Sequence, residues 1–598
     1  MSGVEIRFPY QDSTLEIEQR VSDLLSRLTL EDKAGLLFHQ LITVSDPTQA
    51  NPAFHLPATS SMILRRRMNH FNVFGAAATG REFAQWQNAV QRIAAELPLG
   101  IPVTLSTDPR HSFTDNPGTA MMAGPFSQWP EPLGLAAIGS EELVEAFGDT
   151  ARREYIAVGL RVALHPQIDL TTEPRWSRAG GTFGEDADLT SRMVVAYIRG
   201  FQGESLGPHS VATMVKHFPG GGPQKDGHDP HFEYGREQVY PGGQFEYHLK
   251  PFEAAITAGA AQMMPYYGMP VGTQYEEVGF GFNKSIITGI LRERLGFDGI
   301  VCTDWGLLTD VEILGTEMPA KAWGVEHLDR EERVLKVLEA GADQFGGEIR
   351  TEVVIALVQD ERLEEARIDA SVRRLLREKF RLGLFENALV NEADADAIVG
   401  STEFRAAGLA AQRDSVTLLT NGVALDLPTL PLARGLKVYA EGVEPGALGV
   451  YATAVDSPAD ADVAILRLKA PFTPGKGGFE AFFHNGSLAF SDSEIERISA
   501  VANAVPTVLD VYLDRPAILT PFVSSAAAIV ANFGASDQAL LAVLFGEFEP
   551  KGSLPFDLPR SMAAVEASRE DVPYDTEDPV FQFGHGLRYA ARVLSERD

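Results

Sequence analysis

Cysteine is almost absent. Cys302 stands alone among 598 residues, so no intrachain disulfide can form and no cysteine-rich zinc site can be built. Positive charge is scarce too: 51 Lys plus Arg against 82 Asp plus Glu leave a formal net charge of −31. That balance argues against nucleic acid or an anionic membrane surface as partner, because either calls for a basic face. It neither demands nor forbids a homodimer. Long apolar runs are missing, and no stretch approaches the ~20 residues that span a bilayer. The run SSAAAIVANFG at 524–534 is too short and reads as a buried strand after a turn. The start, MSGVEIRFPYQDSTLEIEQRVSDLL, lacks the basic-then-apolar pattern of a secretory leader, and the expectation is a cytoplasmic protein. No P-loop glycine pattern occurs. Gly220-Gly221-Gly222 follows a strand but lacks the dinucleotide fingerprint, so no cofactor is implied.

What is present is ordinary globular composition, 44% hydrophobic and 22% charged, in a chain long enough for two or three domains. Through residue 390 short apolar runs alternate with amphipathic stretches. Strands are expected at Ala34–Phe38, Phe71–Phe74, Val103–Ser106, Val162–His165, Ala212–Lys216, Ala261–Pro265, Gly299–Thr303 and Ala342–Phe345. Helical spacing marks Glu141–Val158, Leu249–Ala258 and Lys284–Leu295. Eight strands with crossovers fit a closed (β/α)8 barrel, with an open doubly wound sheet as the alternative. The acidic NEADADA run lies in a segment read as a linker or helix cap, 391–410. From 411 to 598 strands and helices alternate again, at Val416–Thr420, Leu436–Glu441, Val463–Leu468, Val508–Tyr512 and Ala527–Asn532 with helices Ser491–Val501 and Asp537–Leu544. This implies an α/β sandwich on a mostly parallel sheet, with a C-terminal extension.

In such a barrel the chemistry sits on loops at the carboxyl ends of the strands. There the chain places Asp108, the stretch EPRWSRAGGTFGED with Arg178, Lys216-His217, Pro265-Tyr266-Tyr267 and Asp304-Trp305. Charged groups converging on one rim are costly to bury unless they are paired or engage a ligand. Carboxylates, Arg, Lys and His beside a Trp face suit a sugar, whose hydroxyls point sideways while its C–H faces stack.

KHFPGGG (216–222), TDWG (303–306), PRWSRAGGTFGED (174–186), KGSLPFDLPRS (551–561) and FGHGLRY (583–589) closely resemble, in order, the motifs of family 3 glycoside hydrolases. The resemblance covers almost the whole chain and implies a barrel followed by an α/β sandwich, without the further β-sandwich of some members. It implies a retaining, exo-acting β-glycosidase that takes one sugar from a non-reducing end, with β-D-glucoside favoured and β-xyloside behind it. Asp304 matches the family's nucleophile, and Trp305 would wall the pocket. Asp108, Arg178, Lys216, His217 and Tyr266 match the residues that grip the sugar, although the usual Trp-Gly-Arg is Trp176-Ser177-Arg178 here.

Two sources remain open for the acid/base. One is Glu480, the only carboxylate of the second-domain loop 467–490, set among Phe479, Phe482 and Phe483. The other is Asp226 with His228, close to the Asp-x-His spacing of the family's N-acetylglucosaminidases and phosphorylases. His228-Asp229-Pro230-His231 offers no third ligand for a metal, and none is expected. A non-catalytic sugar-binding protein is the rival from another class.

Overall fold

The computed structural model describes residues 8–589 apart from 115, 117, 314–315 and 423–428; the outer ends of the expected domains, 1–7 and 590–598, lie outside the described residues. Eight parallel strands close into a barrel in sequential order. They are β1 (Phe38–Thr43), β2 (His70–Phe74), β3 (Thr104–Thr107), β4 (Leu160–Ala163), β5 (Ala212–Phe218), β6 (Gln262–Pro265), β7 (Ile300–Trp305) and β8 (Gln344–Gly346). The open sheet is thereby set aside.

The first strand is displaced from its expected place. Ala34, Leu36 and their neighbours end the helix Leu30–Leu36, and the strand begins at Phe38. Thr29 caps that helix, accepting from the Asp32 amide while the Asp32 side chain accepts from Thr29 N. A short buried apolar run is equally compatible with strand and helix, and the cap decides it. Lys284–Leu295 is helical as expected, although its inner turns, Ser285–Arg294, carry the wider π pattern.

The segment read as a linker or helix cap holds two helices, Glu392–Ile398 and Thr402–Ser415, capped by Asn391 and Ser401. The first lies on the barrel helix Gly80–Ala94, where Arg81 pairs with Asp396 at 3.0 Å and Asn88 donates to Val390 O at 3.0 Å. Its acidic run is a helix N-terminus, where carboxylates are favoured.

The second domain carries six strands: β9 (Thr417–Asn421), β10 (Lys437–Glu441), β11 (Thr453–Val455), β12 (Val463–Lys469), β13 (Thr507–Tyr512) and β14 (Ala528–Asn532). Their order is β9-β14-β13-β12-β10-β11, parallel except for the β9–β14 pair. Val463, Ile465 and Val508 bury on one face, Ala464, Leu466 and Leu509 on the other. A sheet covered on both sides explains why its strands read as continuous apolar runs.

The two domains meet across the barrel's carboxyl-end loops. Gly184 lies so close to Pro555 that an added Cβ would stand 2.0 Å from Pro555 O. Asp557 N donates to Glu185 at 2.5 Å, and Arg515 donates to Arg175 O at 2.9 Å. The family-like segments 174–186 and 551–561 are thus the two sides of one junction. Among the described residues no helix is long and apolar enough to cross a membrane.

Candidate active site

Five strand ends and one loop build the site. Lys216, at the end of β5, pairs with Asp108 after β3 at 3.0 Å, and Asn72 on β2 donates to the other Asp108 oxygen at 3.0 Å. His217 is locked from both sides. Its Nδ1 lies 2.7 Å from Asp169 Oδ2, and its Nε2 lies 3.1 Å from Arg178 Nη1. Burial first, then the Arg178 guanidinium, hold the imidazole well below its ordinary pKa, so it is neutral. The partners assign the tautomer: Nδ1–H donates to Asp169, and Nε2 accepts from Arg178. Asp169 is itself fixed by the amides of His217 (3.1 Å) and Gly221 (2.5 Å), and burial pushes its carboxyl up to about 6.

The three glycines after this strand serve packing. A Cβ on Gly222 would stand 1.7 Å from Leu170 O, and one on Gly221 would meet the Tyr266 ring at 2.8 Å.

Asp304 ends β7 with 8% of its surface exposed. Its Oδ1 accepts from Tyr267 Oη and from Trp305 N, both at 2.8 Å. Its Oδ2 has no hydrogen-bond partner among the described residues, and His217 Nε2 is 3.8 Å away. A buried carboxylate oxygen left open beside a neutral imidazole and two cations is poised for an electrophilic carbon or a hydroxyl. Asn72 Oδ1 and Trp305 Nε1 are likewise buried and unpartnered, and the Trp305 ring packs at a tilt against His39 with centroids 5.3 Å apart.

Of the residues expected from sequence, Asp108, Arg178, Lys216, His217, Asp304 and Trp305 come together here. Tyr266 needs correction. Its hydroxyl is taken by Asp229 at 3.2 Å and its ring packs on His217 at 4.3 Å, whereas its neighbour Tyr267 touches Asp304. Two adjacent tyrosines at a strand end point to opposite faces, and sequence alone does not say which faces the pocket.

Asp226 and His228 are not brought together. Both are exposed; Asp226 lies 3.7 Å from Arg175, and the His228 ring sits against Tyr234 at 5.4 Å. The paired residues of that loop are instead Asp229 and His231, buried and bonded at 2.6 Å, with the His231 ring 4.8 Å from Tyr267. Asn72 carries no signal in the sequence; Asp169 and Tyr267 are legible there only as rim residues without a role, and Asp229 and His231 only as part of an incomplete metal-ligand pattern, because single polar residues carry no spacing signal.

The second domain reaches over this rim. Phe479 and Phe483 pack on His231 and Phe232, and Asn116 donates to Phe482 O at 2.8 Å. Glu480 lies in this aromatic cover, half-buried, accepting from Tyr234 Oη at 2.8 Å. Phe482 of the same loop borders a cavity of about 270 Å³ between the domains, lined by Arg178 and Lys216 on one side and by His484, Tyr512 and Asp514 on the other. His484 Nδ1 is bonded to Asp514.

Comparison with known proteins matches this architecture along the chain. The model for the glycosyl hydrolase family 3 N-terminal domain matches residues 56–378, and that for the C-terminal domain matches 318–589. The chain belongs to glycosyl hydrolase family 3.

It is 52% identical to a probable beta-glucosidase C of Aspergillus flavus, over 97% of this chain and 92% of that protein. It is 41% identical to a periplasmic beta-glucosidase/beta-xylosidase of Dickeya chrysanthemi, over 97% of this chain and 91% of that protein. The solved structure of a β-glucosidase from Erythrobacter marinus shares the fold, with a TM-score of 0.77 at 21% identity, covering 98% of this chain and 84% of that one. As a family 3 member the protein is a glycoside hydrolase, and its substrate is a carbohydrate or glycoside.

Proposed function

We propose that this enzyme is an exo-acting β-glucosidase that releases single β-D-glucose units with retention of configuration. The observation that carries the reading is the Asp304 carboxylate: one oxygen held by Tyr267 and Trp305 N, the other open within 3.8 Å of His217. Two bonds on Oδ1 fix the plane of the group, so Oδ2 can attack an anomeric carbon without first shedding partners. Lys216 and Asp108 brace one another, Arg178 is held against His217 and Gln167, and the three supply charged donors and acceptors for hydroxyls away from the reacting carbon.

In this mechanism the substrate's non-reducing sugar lies over Trp305, and Asp304 displaces the aglycone to give an α-glucosyl ester. Glu480 protonates the leaving oxygen and then takes a proton from water as that water opens the ester. Its place in the apolar cover of the second domain supports the role. The names of the relatives from Aspergillus flavus and Dickeya chrysanthemi support glucose, and the second of them keeps β-xyloside as the other substrate.

A panel of nitrophenyl β-glycosides tests the sugar, with the glucoside expected to give the highest kcat/KM. Proton NMR of the first-formed sugar tests the stereochemistry. β-Glucose is expected, and α-glucose as first product overturns retention.

A further inference from the structure

One cation beside Asp304 has no part in the scheme above. Lys321 follows the hairpin Val311–Ile313 and Thr316–Met318, and its amide donates to Gly306 O at 2.9 Å. Gly306 N in turn donates to Gly346 O at 3.0 Å, so Lys321 hangs where β7 meets β8. Arg178 and His217 approach from β4 and β5. The Lys321 ammonium lies 3.6 Å from the point where a Gly306 Cβ would stand. The residue is only 5% exposed, yet among the described residues its Nζ has neither a hydrogen bond nor an ion pair. An ammonium withdrawn from water and left unpaired is costly, and a ligand that completes it removes the cost.

The charged groups that face it are Asp304 on β7 and Glu348 after β8. Glu348 is engaged elsewhere: its Oε1 accepts from the amides of Leu308 (2.9 Å) and Thr309 (3.0 Å). Asp310, on Lys321's own segment, accepts from Ala320 N at 2.8 Å. That leaves the unpartnered oxygen of Asp304 and the unpaired ammonium of Lys321 as charged neighbours at the β7–β8 end of the site.

We propose that Lys321 is a further substrate-binding residue, donating a charge-assisted hydrogen bond to a hydroxyl of the sugar held at Asp304, on the β7–β8 side of the pocket. The inference rests on the β-glucosidase reading and adds a contact to it. Burial pushes the ammonium down to about 8, against the pull of Asp304 and Glu348. Glu348, pushed up to about 7 by burial, is ionised over the range in which Lys321 gives up its proton. Lys321 therefore binds as a cation below pH 8 and weakens as a donor above it.

The test uses 2,4-dinitrophenyl β-D-glucoside, whose leaving group departs without a proton, so the general acid does not shape the alkaline limb. The unmodified enzyme is expected to lose kcat/KM above about pH 8. Lys321→Met should fold, since an apolar chain replaces a buried charge, and should lose about 10²-fold in kcat/KM with no alkaline limb left. Lys321→Arg keeps the charge at every accessible pH, so its limb should move beyond pH 9. A Lys321→Met enzyme within about threefold of the unmodified one, or an unmoved limb in Lys321→Arg, overturns the inference. An unmodified enzyme inert on this substrate overturns the β-glucosidase reading instead.

Discussion

The phenol of Tyr267 reaches Asp304 Oδ1 at 2.8 Å and the carbonyl of Trp305 at the same distance, bridging the carboxylate to its own strand. Burial, then the charge of Asp304, push this phenol far above its usual pKa, so it remains a donor throughout the working range. Tyr267→Phe is expected to lower kcat/KM on nitrophenyl β-glucoside by about 10- to 100-fold, the worth of one charge-assisted hydrogen bond in a buried site. Tyr266→Phe, which loses only a contact to Asp229, should cost clearly less. Equal losses in the two variants would contradict the placement of these side chains.

Removing the proposed nucleophile gives a product-level test. Asp304→Ala should abolish turnover of β-glucosides, and azide bound in the space left behind should attack from the same side. The product is then α-glucosyl azide, identified by its anomeric coupling constant. Substantial hydrolysis by this variant would place the nucleophile elsewhere.

The acid/base assignment predicts the opposite azide product. In Glu480→Ala, activated aryl glucosides should still load the enzyme, because their leaving groups need no proton, while deglucosylation slows by about 10²- to 10⁴-fold. Azide then opens the ester from the β face and gives β-glucosyl azide. His228→Ala should leave activity near that of the unmodified enzyme, since His228 is exposed against Tyr234. Loss of β-azide formation in Glu480→Ala, or a large loss in His228→Ala, would reverse the choice.

How far the sequence carried this reading follows from the kind of signal each feature leaves. Seven of the eight barrel strands are apolar runs between turn residues, buried on both faces, and they stand out for that reason. The first failed because Ala34, Leu36 and Leu37 are equally apolar in helix and strand, and the Thr29 cap was overlooked. Asp304, Lys216 and His217 were legible because they lie in contiguous motifs next to a strand. Tyr267 and Asp169 are legible as rim residues but not in their roles, because those come from what meets them in space: Asp304 for one, the His217 and Gly221 amides for the other. The segment read as a linker or helix cap shows a similar limit. An acidic run looks solvated in sequence, yet at 392–398 it opens a helix bound to Arg81, Gln85 and Asn88.

The domain junction makes a last prediction, about stability. Burial, then the nearby Asp557 carboxylate, push Glu185 up to about 8, and burial also raises Asp557. A carboxyl whose folded pKa lies above its unfolded value keeps its proton in the folded state after the unfolded chain has released it. Between about pH 4.5 and 8 the folded state thus binds more protons, and stability falls as pH rises, by up to about 1.4 kcal/mol per pH unit for each such group. Glu348 and Glu378, both raised to about 7, act with the same sign. Asp557→Asn keeps an acceptor for Phe583 N, removes the like charge, and draws Glu185 back toward its ordinary value. The buried neutral imidazoles of His39, His70, His165, His217 and His248 act with the opposite sign below about pH 6.5, so the junction is read from the difference: between pH 5 and pH 8 the melting temperature of Asp557→Asn should gain on that of the unmodified enzyme. Because Glu348 and Glu378 are untouched by the substitution, the difference between the two curves isolates the junction. Parallel curves would mean that Glu185 and Asp557 do not share their charge across the domains.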